Sequence, residues 1–309
     1  MKPASFLYDV LKSEAFLKGK YAGTEKVTAE STWKVLEEEG DKIIDQIDDI
    51  VIEKIFLEKF EQTEFMRLYM KTPRKSPLSE VIEDLKKVMP QDTHAEMDEF
   101  AEDHKNDPIT AVMHIWTRWT PITMPINFAL MLDGYETFGL AESDSLKTDA
   151  IKKRLAKENG HDYKTILKYS IKFIRMVNYC IVYKCTKLNT EDRVTYRGVA
   201  AHIFKNVKVG QTFRVMNFNC TSSNSKVSEK FSKFNTEGTP DATMIVFQIP
   251  KGCYNAGKIE EYGYKYHKHE KETLIPPYTA CKLTKRDGNT LYVEVAKDNK
   301  AVSFTHFTF

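Results

Sequence analysis

Two glutamates separated by one residue, Glu270 and Glu272, precede the apolar pair Leu274-Ile275, and their spacing could support chemistry. In an extended chain, side chains two positions apart point to the same face. Two carboxylates on one face repel each other unless a positive charge, a cationic transition state or a substrate donor lies between them. The pair therefore indicates a site, although an exposed polar strand edge would show the same short pattern.

A second candidate is Arg197-Gly198, at the end of a β-prone segment that begins at Val194. An arginine at this position can donate two hydrogen bonds to a phosphate, and the following glycine lets the backbone approach a flat ligand closely. The alternative is an exposed arginine in an ion pair beside a turn glycine.

A third candidate is the hydroxyl-rich junction Phe218-Asn-Cys220-Thr221-Ser222, which precedes a helix start near Val227. Small hydroxyls there could hold a ribose or orient a carboxylate, and a helix N-terminus favours phosphate. An ordinary helix N-cap explains the same cluster equally well.

The elements that must position these residues change type along the chain. The apolar spacing after Asp162 predicts a long core helix that continues to about Tyr183, with Asp162 as its N-cap. From Arg193 onward, short β-like segments predict a sheet on which the helices pack. The expected strands are 194–196, 212–220, 243–249, 273–283 and 291–296, with a hairpin turn at Asp287-Gly288.

The earlier part of the chain is charged and helix-prone. Apolar residues between Ile43 and Phe56 recur at helical spacing, and prolines divide the region into short helices. A further short helix is expected to begin at Pro125 and to end at Asp133-Gly134. Residues 1–105 are thus predicted to form a helical region of unknown role, with a regulatory or targeting module as the alternative.

Composition narrows the classes of protein. The 309 residues are 41% hydrophobic and 12% aromatic, which is enough for two domains or one elaborated domain. The 46 basic and 44 acidic residues leave a net charge of +2, which argues against a nucleic-acid binder held by bulk electrostatics. Five cysteines without a C-x-x-C pair favour a reduced compartment, and no membrane span or signal peptide is evident, so a cytoplasmic location is expected.

Taken together and in this order, the three candidates resemble the arginine–serine–glutamate class of ADP-ribosyltransferases. The likeness is greatest to the arginine-specific mono-ADP-ribosyltransferases, which carry Y-R-G-V, F-x-S-T-S with a following valine and aromatic, and E-x-E-x-L-I-P-P. The corresponding segments here are 196–199, 218–222 with Val227 and Phe231, and 270–277. The resemblance is strong from about 162 to 283, faint from 116 to 132 and absent before that.

The resemblance implies an α+β fold, in which two facing β-sheets with flanking helices form the catalytic core. We expect the helical N-terminal region to span residues 1–105 and the catalytic domain to span 106–309, with the motifs inside 162–285. It also implies NAD+ as a substrate, an arginine of a protein as the acceptor, and no metal. A monomer is expected, with no nucleic-acid partner and no membrane span.

The resemblance also implies roles for individual residues. Arg197 would hold the pyrophosphate or its adjoining ribose, and the Gly198 backbone would meet the nicotinamide amide. Glu272 would bind the nicotinamide ribose and stabilise the oxocarbenium ion as nicotinamide leaves. Thr221 and Ser222 would position the ribose and the carboxylate. The residues expected to stack on nicotinamide are Phe231 or Phe234.

Glu270 would orient the acceptor guanidinium and take its proton, since a group with a pKa above about 12 is otherwise a poor nucleophile. The segment 260–269 would be the acceptor-recognition loop, in which Tyr264 and Tyr266 could lie flat on an arginine side chain. His267 and His269 are not expected to bind a metal, because no further ligands follow at a recognisable spacing.

Cys220 departs from the family pattern, which has serine at this position. A thiol is the poorer hydrogen-bond partner, so NAD+ binding and the positioning of Glu272 are the properties in question. Two alternatives therefore stay open: an NAD+ glycohydrolase, in which water replaces the guanidine, and a catalytically weak NAD-binding or interaction module. A secreted effector is the alternative to the cytoplasmic location.

Overall fold

The computed structural model describes residues 63–69, 71–73, 75–118, 120–138, 145–185, 191–200, 207–234, 242–253, 256–296 and 306–308. The helical periodicity predicted between Ile43 and Phe56 lies outside these residues. Helices come first: α1 (Glu64–Tyr69), α2 (Leu78–Lys86), α3 (His94–Asp103), α4 (Pro108–Arg118), α5 (Thr120–Phe138), α6 (Ser145–Asn159) and α7 (Tyr163–Tyr179). Within the described part of the chain, no helix is long and apolar enough to cross a membrane.

The strands follow, with one helix among them. They are β1 (Arg193–Ala200), β2 (Thr212–Val215), β3 (Asn219–Ser222), β4 (Ala242–Ile249), β5 (Gly257–Lys258), β6 (Glu272–Ile275), β7 (Ala280–Asp287), β8 (Thr290–Val295) and β9 (His306–Thr308). Helix α8 (Ser225–Phe234) lies between β3 and β4, and a 3-10 helix spans Lys265–Glu270. The strands are hydrogen-bonded in the order β5-β6-β3-β1-β4-β8-β7-β2-β9.

The junction between β1 and β3 divides this sheet into two halves. The register there has a single residue pair, Tyr196 with Ser222, whereas β1 and β4 are paired along eight residues. Ile275 of β6 nevertheless packs in one buried cluster with Ile245 and Phe247 of β4. The two halves therefore share a core, and the predicted α+β fold of facing sheets with flanking helices is confirmed.

Helix α7 is the main core helix, as its apolar spacing predicts. Asp162 is its N-cap, and the carboxylate accepts a hydrogen bond from Thr165 N at 2.7 Å. The helical path continues through the π-helix Cys180–Cys185, close to the expected end at Tyr183. Helix α1 joins the same hydrophobic cluster, and the Phe65 ring stacks on Tyr278, which follows β6, at 5.5 Å. The first described helices thus pack directly on the sheet, while a domain boundary near residue 105 stays a prediction.

The predicted helix from Pro125 to Asp133-Gly134 is wrong at both ends, because Pro125 lies inside α5 and that helix continues to Phe138. Asp133 serves a different helix: its carboxylate accepts hydrogen bonds from the backbone N–H groups of Glu64 and Phe65 at the start of α1. Burial raises the pKa of Asp133 to about 6. A Cβ at Gly134 would lie 2.5 Å from Met216 Sδ, so this glycine permits close packing and does not end the helix.

Two predicted strands are each divided in two. The expected strand 212–220 comprises β2 and β3, and the expected strand 273–283 comprises β6 and β7. The second break falls at Pro276-Pro277 and at Tyr278, whose φ is +62°. In both cases the chain crosses between the halves, since β3 pairs with β6 and β2 pairs with β7. The hydrophobic period does not reveal such crossings, because both pieces are buried β-structure.

Candidate active site

Arg197 lies on β1 beside the junction between the two halves of the sheet. Its Nη1 donates a hydrogen bond to the backbone oxygen of Cys220 on β3, at 2.9 Å. Burial lowers the pKa of Arg197 from its ordinary value, while Cys220 and Glu272 act in the opposite direction. Because a guanidinium keeps its proton in proteins, Arg197 places a positive charge between these two strands. The adjacent Gly198 is buried, opposite Met244 of β4.

The ladder between β3 and β6 brings the thiol and a carboxylate together. Cys220 is paired with Leu274 and Ser222 with Glu272. Paired residues of antiparallel strands share a face, so Cys220, Ser222 and Glu272 lie on the same side of the sheet.

The thiol and the carboxylate are hydrogen-bonded. Burial, reinforced by the negative charge of Glu272, raises the pKa of Cys220 well above its ordinary value. The thiol is therefore protonated, and its S–H is the donor to the Glu272 carboxylate.

The two hydroxyls of this junction fasten the segment that carries both glutamates. Thr221 Oγ1 donates to the backbone oxygen of Thr273 at 2.9 Å, and Ser222 Oγ donates to that of Glu270 at 2.6 Å. Ser222 Oγ also accepts a hydrogen bond from Asn224 N at 2.9 Å. Each hydroxyl has one proton and donates it to a backbone oxygen. The two side chains therefore fix the backbone on either side of Glu272.

The two glutamates are not neighbours on one strand, so the geometric premise of the sequence prediction is wrong. Glu270 ends the 3-10 helix Lys265–Glu270, and Glu272 begins β6. Lys271 between them has a φ of +47°, in the left-handed region. A residue in that conformation turns the chain, so the alternation of an extended strand does not apply to this pair.

Of the two tyrosines predicted to contact the acceptor, the structure describes the side chain of Tyr264 but not that of Tyr266. Tyr264 is half-buried, its backbone N–H donates to Thr117 Oγ1 at 2.7 Å, and its ring faces Arg118 of the same chain at 5.1 Å. The side chains of Tyr266 and His267 lie outside the described part of the structure. His269 is exposed, and among the described residues no group of three or more histidine, cysteine or acidic side chains could hold a metal ion.

The predicted nicotinamide-stacking residues, Phe231 and Phe234, lie on α8, but their side chains are outside the described part of the structure. The start of this helix is fixed on β1 by Ser228, whose Oγ donates to Tyr196 O at 2.7 Å.

Sequence reasoning passed over two polar residues that share the face of Arg197 on β1. Arg193 Nη1 lies 3.4 Å from Thr273 Oγ1 on β6. Thr195 is 1% exposed, and its hydroxyl has no hydrogen-bond partner among the described residues. Because side chains two apart on a strand point to one face, the alternation Arg193-x-Thr195-x-Arg197 is the signal that could have found them.

A surface cavity in the helical layer has no part in this site. Its volume is about 200 Å³, and its lining combines Pro90, residues 121–128 of α5 and residues 155–159 of α6. None of the residues on β1, β3 or β6 contributes to it.

Residues 156–303 match the family model described as NAD:arginine ADP-ribosyltransferase. This region includes Arg197, the hydroxyl junction and both glutamates, and the resemblance indicated by the three motifs is confirmed there. No curated protein matches the chain.

Solved ADP-ribosyltransferases are among the structural relatives. Vis toxin from Vibrio splendidus is 15% identical, with 78% of this chain and 89% of Vis covered and a TM-score of 0.38. HopU1 of Pseudomonas syringae pv. tomato DC3000 is 13% identical, with 73% and 100% covered and a TM-score of 0.40. The eukaryotic mono-ADP-ribosyltransferase ART2.2 is 14% identical, with 70% and 82% covered and a TM-score of 0.38.

Proposed function

We propose that this chain is an NAD+-dependent mono-ADP-ribosyltransferase that transfers ADP-ribose from NAD+ to arginine side chains of proteins and releases nicotinamide. The observation that carries the proposal is the meeting of Arg197, Cys220 and Glu272 where β1, β3 and β6 adjoin. A fixed cation and a fixed carboxylate at one junction suit a substrate that is anionic in one part and becomes cationic in another.

In this proposal, Glu272 stabilises the positive charge that develops during the reaction. Cleavage of the bond between ribose and nicotinamide leaves a positive charge on the sugar, and the bonding electron pair departs with nicotinamide. A carboxylate that β6 and β3 already hold in place can stabilise that charge without reorganising. The Cys220 S–H, which donates to Glu272, orients the carboxylate.

The anionic part of NAD+ would be bound from β1. Arg197 is our candidate for the pyrophosphate, because its guanidinium can donate to phosphate oxygens in a bidentate manner. The buried Thr195 hydroxyl on the same face has no hydrogen-bond partner among the described residues, which supports a polar ligand beside it. Gly198 would contact the nicotinamide amide through its backbone, and Phe231 or Phe234 would stack on the ring.

Glu270 would act on the acceptor. It is half-exposed at the end of the 3-10 helix, where a protein arginine could approach, whereas Glu272 stands in the ladder. Its carboxylate would orient the incoming guanidinium and accept a proton as the new bond to the ribose forms.

NAD+ glycohydrolysis is the second candidate. The group formed by Arg197, Cys220 and Glu272 needs no residue of the predicted acceptor-recognition loop, 260–269, so it could cleave NAD+ with water as the acceptor. The same group is needed for transfer, and only the fate of ADP-ribose separates the two functions.

The test is incubation of the purified chain with NAD+ labelled in its adenine ring, with and without agmatine. We expect labelled ADP-ribosyl-agmatine, with nicotinamide released in equal amount. Free ADP-ribose in place of the agmatine product would replace the transferase with the glycohydrolase. Calorimetry with NAD+ covers the remaining case, because folded protein that fails to bind millimolar NAD+ would contradict both activities and favour an interaction module.

A further inference from the structure

Helix α4 carries the segment that precedes Glu270. We call residues 259–270 the acceptor loop. Thr117, in the last turn of α4, accepts a hydrogen bond from the backbone N–H of Tyr264 at 2.7 Å and donates one to Met113 O at 2.8 Å. A Cβ at Gly263 would lie 3.1 Å from Thr117 Cγ2, so the loop backbone rests directly on this threonine.

The Tyr264 side chain completes this attachment. Its ring lies edge-on to Phe100 of α3 at 5.5 Å and to His114 of α4 at 5.8 Å. The Arg118 guanidinium lies 5.1 Å from the ring centroid, a distance suited to a cation–π interaction. Tyr264, predicted to receive the arginine of an acceptor, thus receives an arginine of its own chain.

Charge holds Arg118 over the ring. Arg118 Nε donates to Glu96 Oε1 of α3 at 2.7 Å, which ties the ends of two helices together beneath the loop. Burial lowers the pKa of His114 to about 4. The imidazole is therefore neutral near pH 7 and does not repel the neighbouring guanidinium.

The attachment point is linked to Glu270 by a short and regular path. Tyr264 is the N-cap of the 3-10 helix that Glu270 ends. Six residues at about 2 Å per residue span roughly 12 Å, so a shift of Tyr264 is passed along the helix to Glu270. Glu272 is held mainly by the sheet, through its pairing with Ser222 and the bond from Thr221 to Thr273 O. Its contact with the loop is at the first loop residue, where the Ile259 N–H donates to Glu272 O at 3.1 Å, at the end opposite to Glu270.

We propose that Thr117 and Arg118 are positioning residues for the acceptor step: they seat the acceptor loop on α4 and thereby set where Glu270 meets the arginine, without acting on NAD+ cleavage. This inference rests on the proposed function, and it assigns α4 a place in acceptor specificity.

The main test is Thr117→Val, which keeps the shape of the side chain and removes the acceptor of the Tyr264 N–H. Losing one buried partner predicts about a tenfold lower kcat/KM for agmatine. Hydrolysis of NAD+ without acceptor, and the KM for NAD+, should stay within about twofold, because the sheet groups are untouched. Thr117→Ser should keep the wild-type kcat/KM for agmatine, since serine keeps the hydroxyl that accepts the Tyr264 N–H.

A matched control uses the same substitution on the same helix. Thr110 lies in the first turn of α4, and among the described residues its hydroxyl bonds only to Asp107, so Thr110→Val should leave the ratio of transfer to hydrolysis unchanged. Arg118→Gln, which removes the cation over Tyr264, should lower transfer in the same direction as Thr117→Val.

Hydrogen exchange provides a readout that needs no activity. The Tyr264 amide should exchange faster in Thr117→Val than in the wild type and the Thr110→Val control. Unchanged exchange of the Tyr264 amide in Thr117→Val would show that Thr117 does not hold the acceptor loop on α4. Faster exchange with unchanged agmatine transfer, or an equal fall in transfer and hydrolysis, would overturn its role in positioning. A wild type that binds no NAD+ would instead refute the proposed function, while the exchange result would still decide whether α4 seats the loop.

Discussion

The two glutamates lie two residues apart in the sequence and belong to differently supported regions of the molecule. Glu272 is on β6, which is hydrogen-bonded to β5 on one side and to β3 on the other. Glu270 ends a 3-10 helix that is attached through the bond from Ser222 to the Glu270 backbone oxygen and through the contact of Tyr264 with Thr117. The first is fixed by the ladder, and the second by individual side-chain contacts.

Because the two glutamates are supported differently, the position of Glu270 can change while the position of Glu272 is kept. A position on a ladder is set by several backbone bonds, so single substitutions outside the strand disturb it little. A position on a loop depends on a few side chains, and each of them can change without loss of the fold. Under the proposed function, NAD+ cleavage would depend on the sheet and acceptor choice would depend on the loop.

The widest effect is expected for Glu272→Gln, which removes the negative charge from the sheet region and should lower both activities. Both transfer and NAD+ hydrolysis should fall by about 10²- to 10³-fold, the typical effect of losing a group that stabilises transition-state charge. Both products should be measured from one reaction, with a thermal melt to establish folding. Hydrolysis at more than a tenth of the wild-type rate would show that Glu272 is not the stabilising carboxylate.

Glu270→Gln should separate arginine transfer from NAD+ hydrolysis. Without the carboxylate, arginine modification should fall by about 10²- to 10⁴-fold, the usual contribution of a general base. Slow hydrolysis of NAD+ to nicotinamide and ADP-ribose should remain, because the groups on the sheet are intact. Agmatine labelling and nicotinamide release are the paired measurements, and intact agmatine labelling would refute the acceptor role.

Ser222→Ala tests the tie between the regions, because Ser222 lies on β3 and bonds to Glu270 O. The change leaves that oxygen and the exposed Asn224 N–H without this partner, and each ordinary hydrogen bond of this kind contributes about 0.5–1.5 kcal/mol. We expect lower stability in urea unfolding and a larger fall in transfer than in hydrolysis. The control is Ser223→Ala, at an exposed neighbour, which should change neither quantity.

Cys220→Ser should have the smallest effect, and in the opposite direction. A hydroxyl is a better donor to Glu272 than the protonated thiol. The free energy of NAD+ binding or the activation free energy of cleavage should therefore become more favourable by about 0.5–1.5 kcal/mol. Calorimetry and hydrolysis rates measure it, and Cys220→Ala controls for removal of the sulfur. A loss of activity in the serine variant would mean that the site is adapted to sulfur.

Much of the fold can be predicted from sequence where one element has one clear period. The Asp162 cap, the apolar face of α7 and the hairpin at Asp287-Gly288 are local features, and each is confirmed. Elements whose ends depend on distant partners were predicted wrongly. Helix α5 continues past Asp133-Gly134, where Asp133 caps α1 and Gly134 packs closely against Met216.

For the site, the sequence by itself determined which residue types are present and their order: Arg197-Gly198, the junction at Cys220-Thr221-Ser222, and the pair Glu270 and Glu272. Their arrangement was decided by the tertiary structure. The ladder that places Ser222 opposite Glu272 joins segments 50 residues apart, and the left-handed turn at Lys271 separates the glutamates. The seat of Tyr264 on Thr117 joins residues 147 positions apart. Periodicity reports only the local path of the chain, and contacts between distant segments follow from how the halves of the sheet and the helices pack.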